Sequence, residues 1–395
     1  MFKKCILLLN LLAVNLFFIS ALKAEGVSGY FRWGYQGGLR PGLPPSDVVN
    51  LPGPPQSRHI GSPDYIYLQL DKNLSKSNTI TLGLQNGGNV FWNNTNFQLT
   101  NLYLQSVLNE TWTLWGGVRN LVFDEIRLLD IYSPFSTGAE GFGLAYTSPY
   151  GGKGYLAFDI RKLDADLRPL KHHIVARYEH KLSDNVLIAP MVSGEYFGGM
   201  KNYTPVIADF AQGKLGFALI TPLANVTTWA AWEANNPTEL VPKHNQQLGI
   251  SHGGQWSDDK MGLLTAFYVT YNKLATPAQE YIIVNGGLLP RDYTFVHQKF
   301  ESSFALQPIY RFSDHIQSAL DMNLIVHSHR IDAAQANAFF LTPILRYVFS
   351  QYNVSLPQFY TSLVFAFYDA RVKVRDSGKP TKFLLSSQTG IEVSF

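Results

Sequence analysis

The chain is poor in cysteine and in charge. Its one cysteine, Cys5, lies in the apolar run after the N-terminus, and only 15% of the 395 residues are charged. The body of the protein therefore has no cysteines to form a disulfide framework, a cysteine-ligated metal site or a cysteine nucleophile. Hydrophobic residues make up 46% of the chain and aromatic residues 14%, which excludes a disordered polymer.

The first 24 residues have the order of a secretory signal peptide. Lys3 and Lys4 precede the apolar stretch 5–19, and small residues follow up to Ala24. We predict cleavage after Ala24, with Ala21 as the alternative site and an uncleaved membrane anchor as the alternative interpretation. This segment carries three lysines and no acid, so the formal net charge of +3 falls to zero for residues 25–395. Nothing in the charge indicates a nucleic-acid partner.

Beyond the signal peptide, no stretch has the length and apolarity of a membrane helix. The recurring pattern is period-two alternation, which is typical of strands with one apolar and one polar face. Near the C-terminus, for example, Leu320, Met322 and Leu324 alternate with Asp321 and Asn323. Roughly 16 to 19 such segments of about 9 to 12 residues follow one another, which is the length of a tilted membrane strand.

We therefore predict an all-β fold, a transmembrane antiparallel β-barrel of about 18 strands, with 16 as the alternative count. Residues 25–395 would form this single domain in a Gram-negative-type outer membrane, surrounded by its lipid. A secreted soluble all-β protein is the alternative. A Pro-rich stretch over 38–61 indicates an extracellular loop. The apolar face of the last strand runs through Ile391 and Val393 to Phe395, which we expect the barrel-assembly machinery to recognise.

Two stretches resemble the maltoporin (sugar porin) family. The first, Gly29-Tyr30-Phe31-Arg32, is similar to the opening of the family's first strand. The second, from Leu114 to Tyr132, resembles without gaps the strand and inward-folded third loop that narrow these pores. The resemblance implies a constriction loop over 119–141, a homotrimer, and a passive porin for sugars or similar small polar solutes.

The resemblance also implies which residues face the solute. Pyranose faces stack on aromatic rings, and their hydroxyls bond to Arg, Asp and Glu. Mixed charges in a constriction produce a transverse field that discriminates ions. The implied constriction and polar track consists of Arg32, Arg119, Asp124, Glu125, Arg127, Asp130 and Tyr132. The implied sugar-stacking rings are Tyr30, Tyr65, Trp92 and Phe217. A solvated amphipathic helix is the alternative interpretation of the charged run.

The chain departs from the family at three positions. Ser394 stands where the family has its penultimate aromatic residue, and Gln98 and Phe123 stand where it has arginines. These departures leave open a non-sugar solute on the same scaffold, such as an amino-acid derivative, a nucleoside or an iron chelate, or an adhesin or receptor barrel. We expect no cofactor and no metal, because no histidine pair has a third ligand near it in sequence. We expect no enzyme, because no nucleophile motif is present.

Overall fold

The computed structural model describes thirteen stretches of the chain: residues 26–38, 65–87, 98–126, 128–129, 133–149, 152–162, 170–197, 209–236, 243–284, 287–327, 337–349, 358–373 and 380–394. The predicted signal peptide at 1–24 and the C-terminal Phe395 lie outside them. So does the Pro-rich stretch 38–61, apart from Gly38 at its start.

The described residues form eighteen strands. They are β1 (Gly26–Gly38), β2 (Tyr65–Asn73), β3 (Asn78–Gly87), β4 (Gln98–Val107), β5 (Trp112–Leu121), β6 (Thr137–Thr147), β7 (Lys153–Lys162), β8 (Leu170–Ser183), β9 (Val186–Phe197), β10 (Asp209–Ile220), β11 (Ala224–Asn236), β12 (Lys243–Ser257), β13 (Met261–Val284), β14 (Gly287–Arg311), β15 (Ile316–His327), β16 (Ala338–Val348), β17 (Gln358–Lys373) and β18 (Pro380–Ser394). In the described part of the chain, no helix has the length and apolarity needed to cross a membrane.

Every strand pairs antiparallel with the next strand in sequence, and β18 pairs with β1 to close the sheet. The register at the closure sets Arg32 opposite Glu392 and Tyr30 opposite Ser394. A closed barrel pairs the backbone groups of its strands without leaving a sheet edge. The predicted antiparallel barrel of about 18 strands is confirmed.

The barrel has its apolar residues outside and many of its polar residues inside. On β15, Asp321 and Asn323 face the interior and are 1% and 0% exposed. The alternate residue Leu324 is 42% exposed on the outer face. The same alternation runs along β16 and β17, with Phe339 and Phe367 outside. This arrangement reverses the usual pattern of a water-soluble protein.

One hairpin is much longer than the others. Strands β13 and β14 pair with each other all the way to Val284 and Gly287. The pairing of β12 with β13 ends at Lys273, and that of β15 with β14 begins at Glu301. The end of this hairpin, after Lys273 on β13 and before Glu301 on β14, therefore extends beyond its pairing with β12 and β15.

The connection between β5 and β6 folds into the barrel. Ile126 and Leu129 of this segment pack with Ala266 of β13 and Ala305 of β14. Strand β14 lies nine places from β5 in a ring of eighteen, so the segment reaches the opposite wall. The predicted alternative of an amphipathic helix is wrong for the described part of this run, which contains no helix.

The inward segment is shorter than the predicted constriction loop at 119–141. Residues Arg119 to Leu121 still pair, as the end of β5, with residues Thr137 to Ala139 of β6. The segment that leaves the wall therefore lies between Leu121 and Thr137, and we call its described residues 122–126, 128–129 and 133–136 the inward loop.

Candidate functional site

A cavity of about 600 Å³ lies between the inward loop and the wall, where residues of β2, β3, β4, β5, β7 and β8 and Ile220 of β10 line it. Its volume falls within the ~300–1,000 Å³ that is typical of small-molecule sites. Four kinds of side chain line it: tyrosines, amides, charged groups and apolar groups, the last being Leu121, Val122, Phe123 and Ile220. The charged groups are Arg119, Asp124, Arg177 and Glu179.

Arg177 on β8 binds the base of the inward loop. Its Nη1 and Nη2 donate to the two carboxylate oxygens of Asp124 at 2.5 and 2.9 Å, and its Nε donates to Glu179 at 3.0 Å. The side chains of Arg177 and Asp124 are 2% and 4% exposed. The guanidinium also lies over the ring of Phe123, 4.9 Å from its centroid. Arg177 is thus neutralised and held, which suits a structural role.

The backbone at the start of the inward loop is constrained. Asp124 has a φ of 47°, the left-handed region that Asp adopts more readily than most residues. The neighbouring Phe123 receives a hydrogen bond on its carbonyl from the Ser133 N–H at 3.0 Å. The Ser136 hydroxyl accepts from the Phe123 N–H at 2.8 Å. These bonds tie the two ends of the loop together and fix the direction in which it enters the barrel.

The C-terminal end of the inward loop also contacts β10. The Lys214 ammonium donates to the carbonyl of Pro134 at 3.3 Å. Phe135 is 1% exposed, and its ring lies directly over Gly216. A Cβ at Gly216 would collide with that ring, so this position must be glycine for the loop to lie where it does.

Arg119 is held differently from Arg177. Its guanidinium lies 4.7 Å from the ring centroid of Tyr103 and 5.4 Å from that of Trp115. The two rings contact each other edge to face, with centroids 6.2 Å apart. Among the described residues no carboxylate pairs with Arg119. Aromatic faces therefore position this cation and leave its N–H donors facing the cavity.

A chain of polar groups runs along the wall from β2 to β4. The Tyr67 hydroxyl donates to Gln69 Oε1 at 2.5 Å, and Gln69 Nε2 donates to Asp71 at 3.0 Å. Asn101 Nδ2 donates to the Tyr67 hydroxyl at 3.0 Å, and its Oδ1 accepts from the Asn120 N–H at 2.7 Å. The network orients donors and acceptors that a hydroxylated solute requires.

A tyrosine pair continues the aromatic lining towards the barrel closure. The rings of Tyr30 and Tyr65 are tilted, with centroids 5.6 Å apart. The Tyr30 hydroxyl donates to Glu392 on β18, which also accepts from Gln358 Nε2 at 2.6 Å.

The structure brings some of the predicted site residues together. Arg119, Asp124 and Tyr65 line the cavity, and the Tyr30 ring lies beside that of Tyr65. Arg32 is buried on the same face of β1 as Tyr30. Glu125 is exposed on the inward loop and does not line the cavity. The predicted residues Trp92, Arg127, Asp130 and Tyr132 lie outside the described residues.

The prediction for Phe217 is wrong. Gly216 and Ala218 face the interior, where Phe135 and a buried cluster cover them, so Phe217 between them points outward. Its ring is 42% exposed on the apolar outer face. A residue on that face cannot stack on a solute in the lumen.

Sequence reasoning missed the wall residues that complete the site. Arg177 and Glu179 lie on the interior face of β8, which the alternation of that strand would have indicated. Tyr67, Tyr103 and Tyr155 occupy the same kind of position on β2, β4 and β7. No local signal pairs Arg177 with Asp124, because 53 residues separate them in sequence.

Comparisons with known proteins give only distant structural likeness. No protein-family model and no curated protein matches the chain. Among solved structures, OccK5 (OpdH) of Pseudomonas aeruginosa is 12% identical with a TM-score of 0.46, covering 95% of this chain and 99% of that one. An anion-selective porin from Comamonas acidovorans is 10% identical with a TM-score of 0.46, covering 94% and 99%. Wzi of Escherichia coli, a carbohydrate-binding outer-membrane β-barrel, is 11% identical with a TM-score of 0.45, covering 97% and 87%. At these identities the likenesses say nothing about the solute.

Proposed function

We propose that this protein is an outer-membrane porin through which sugars or similar small polar solutes diffuse passively. The observation that carries the proposal is the reversed polarity of the closed barrel. Leu215, Leu248 and Phe304 are among the large apolar side chains exposed on the outer face. Asn323, Thr342 and Gln388 are among the polar side chains inside.

Lipid is the environment that suits such a surface. Each exposed leucine or phenylalanine gains about 1.5–3 kcal/mol when it leaves water completely, and the outer face carries many of them. A closed barrel also meets the second requirement of a bilayer, because its strands leave no unpaired edge in the hydrocarbon. Most of the strands are long enough to cross the bilayer at a tilt.

The inward loop supports transport rather than a purely structural barrel. It crosses from β5 to the opposite wall and thereby narrows the lumen. Beside it, the cavity offers rings for stacking and oriented amides for hydroxyl groups. This combination suits selective passage of a polar solute with a ring, and a passive channel needs no catalytic group.

Several further features belong to the same proposal. Residues 1–24 act as a cleaved signal peptide, and Phe395 directs the chain to the barrel-assembly machinery. The mature protein resides in the outer membrane as a homotrimer, as the resemblance to maltoporins implies. Ions pass with the solute, and the solute crosses without chemical change.

The test is conductance in a planar lipid bilayer. We expect the purified, folded protein to produce stepwise ion currents and a solute such as glucose to reduce them reversibly. A folded protein that inserts but conducts no ions would contradict the porin and favour a binding or adhesion barrel. Conduction without reduction by any sugar would preserve the porin and point to a non-sugar solute.

A further inference from the structure

The two arginines of the cavity differ in how far their charge is already used. Arg177 gives its Nη1, Nη2 and Nε donors to Asp124 and Glu179. A solute would have to break a buried ion pair to reach it. Arg119 has two aromatic contacts and no carboxylate partner among the described residues.

An arginine held in this way is suited to bind an anion. The rings of Tyr103 and Trp115 attract the guanidinium and fix its plane without using its N–H donors. The guanidinium therefore presents a planar, preorganised fork, which matches a carboxylate in a two-bond geometry. Arg119 is only partly buried and lines the cavity, so a solute there can reach it.

We propose that Arg119 binds the carboxylate of the transported solute, and that the preferred solutes are ring-bearing monocarboxylates such as sugar acids. The neighbouring groups fit the rest of such a molecule. Tyr65 offers an aromatic ring, and Gln69 and Asn101 offer amide groups for hydroxyls. This inference rests on the proposed porin function and specifies the solute for the same site.

The distribution of charge around the cavity favours one carboxylate rather than two. Among the charged residues that line it, Arg177 faces two acids, which leaves that group with one excess negative charge. Arg119 brings these four charges to neutrality from β5, three strands away from β8. A monoanion bound to Arg119 would lie beside the one cation of the cavity that has no carboxylate partner among the described residues. A dicarboxylate would bring a second negative charge into a cavity where Asp124 and Glu179 already outnumber Arg177, and like charges repel.

The experiment compares glucuronate with glucose as blockers of the ion current. The two molecules have the same ring and differ at one carbon, which is a carboxylate in glucuronate. We expect glucuronate to block at concentrations at least about tenfold lower, since hydrogen bonds between charged groups are worth more than neutral ones. We expect the advantage to shrink as the salt concentration rises.

Three variants test whether the effect comes from Arg119. Arg119→Gln should weaken the block by glucuronate much more than the block by glucose and so remove the advantage of glucuronate, while Arg119→Lys should keep only part of that advantage. Arg346→Gln removes an interior arginine that bonds to Gln307 away from the cavity, and it should leave the ratio unchanged. Heat-modifiable mobility in gels shows that each variant is folded.

The outcomes separate this inference from the porin proposal. Equal block by the two molecules in the wild-type channel, or equal weakening of both in Arg119→Gln, would overturn the role of Arg119 and leave the porin standing. A folded wild-type protein that conducts no ions would overturn the porin itself.

Discussion

Arg177 on β8 holds both carboxylate oxygens of Asp124 at the start of the inward loop. The pair is almost completely buried, and Asp124 adopts a left-handed backbone conformation at this point. The ion pair therefore fixes a backbone turn that aims the loop into the lumen. This contact between two distant parts of the chain is one of several that hold the loop in its path across the barrel.

Breaking this pair should destabilise the protein strongly. Arg177→Met leaves the buried Asp124 carboxylate without its counter-charge, which costs about 3–5 kcal/mol in comparable cases. We expect a lower urea midpoint for the loss of the folded, heat-modifiable form. The double variant Arg177→Met/Asp124→Asn should recover part of the loss, because it leaves no buried charge.

The exposed pair Lys181–Asp184 in the β8–β9 turn region is the control for that measurement. Its side chains are 46% and 93% exposed and their N···O distance is 2.8 Å. Exposed pairs contribute little, so Asp184→Asn should leave the urea midpoint almost unchanged. An equal loss of stability in both variants would show that burial is not what makes Arg177 important.

The position of the inward loop depends on Gly216. Gly216→Val would place a side chain where the Phe135 ring lies, so we expect the loop to move and the single-channel conductance to rise. Gly213→Val on the same strand is the matched control, because a Cβ there meets no atom within 4 Å. The double variant Gly216→Val/Phe135→Ala should return the conductance towards the wild-type value. Unchanged conductance in Gly216→Val would mean that the loop does not limit the current.

Much of the fold could be predicted from the sequence because successive side chains of a strand face opposite sides, so apolar and polar residues alternate when one side meets lipid and the other the lumen. Asp321 and Asn323 alternate with Leu320 and Leu324, and this pattern alone assigns the two faces. The ends of the inward loop could not be predicted in the same way. Whether Arg119 still belongs to the wall depends on its backbone pairing with Ala139, which no local pattern specifies.

The candidate site was harder to predict than the fold. An alignment error of one residue along a strand moves a side chain from the lumen to the outer face. The family resemblance implied Phe217 as a lumen ring, yet Gly216 and Ala218 occupy the interior positions of that strand. Arg119, which the family resemblance implied as a constriction residue, lines the cavity. Its aromatic clamp requires the register between β4 and β5, which only the structure provides.

The turn after β12 should make stability depend on pH. Asp258 Oδ1 accepts hydrogen bonds from the Lys260 and Met261 N–H groups at 2.8 and 2.7 Å, and these bonds lower the pKa of the Asp258 carboxyl. A lowered pKa in the folded state means that the ionised form stabilises the turn. This stabilisation is complete above the ordinary pKa of 3.8 and is lost as the pH falls through the lower folded-state pKa.

Asp258→Ala should therefore lower the thermal midpoint at neutral pH, and the difference from wild type should disappear in strong acid. Asp259→Ala is the control, since Asp259 accepts no hydrogen bond among the described contacts. A difference for Asp258→Ala that persists at the lowest pH would mean that the charged carboxylate is not the stabilising form.

Aromatic stacking on solute can be tested at Tyr65, which lines the cavity beside Tyr30. Each aromatic contact is worth about 0.5–1.5 kcal/mol beyond the burial of area, which corresponds to roughly 2- to 12-fold in affinity. Tyr65→Leu keeps an apolar side chain and removes the flat face, so we expect block by glucose and by glucuronate to weaken by a similar factor. That common factor distinguishes stacking from the charge effect of Arg119, which should concern glucuronate alone. Phe217→Leu makes the same kind of change on the outer face and should alter neither block. If Phe217→Leu weakened the block as much as Tyr65→Leu did, the loss would reflect the barrel wall in general and not a ring that contacts the solute.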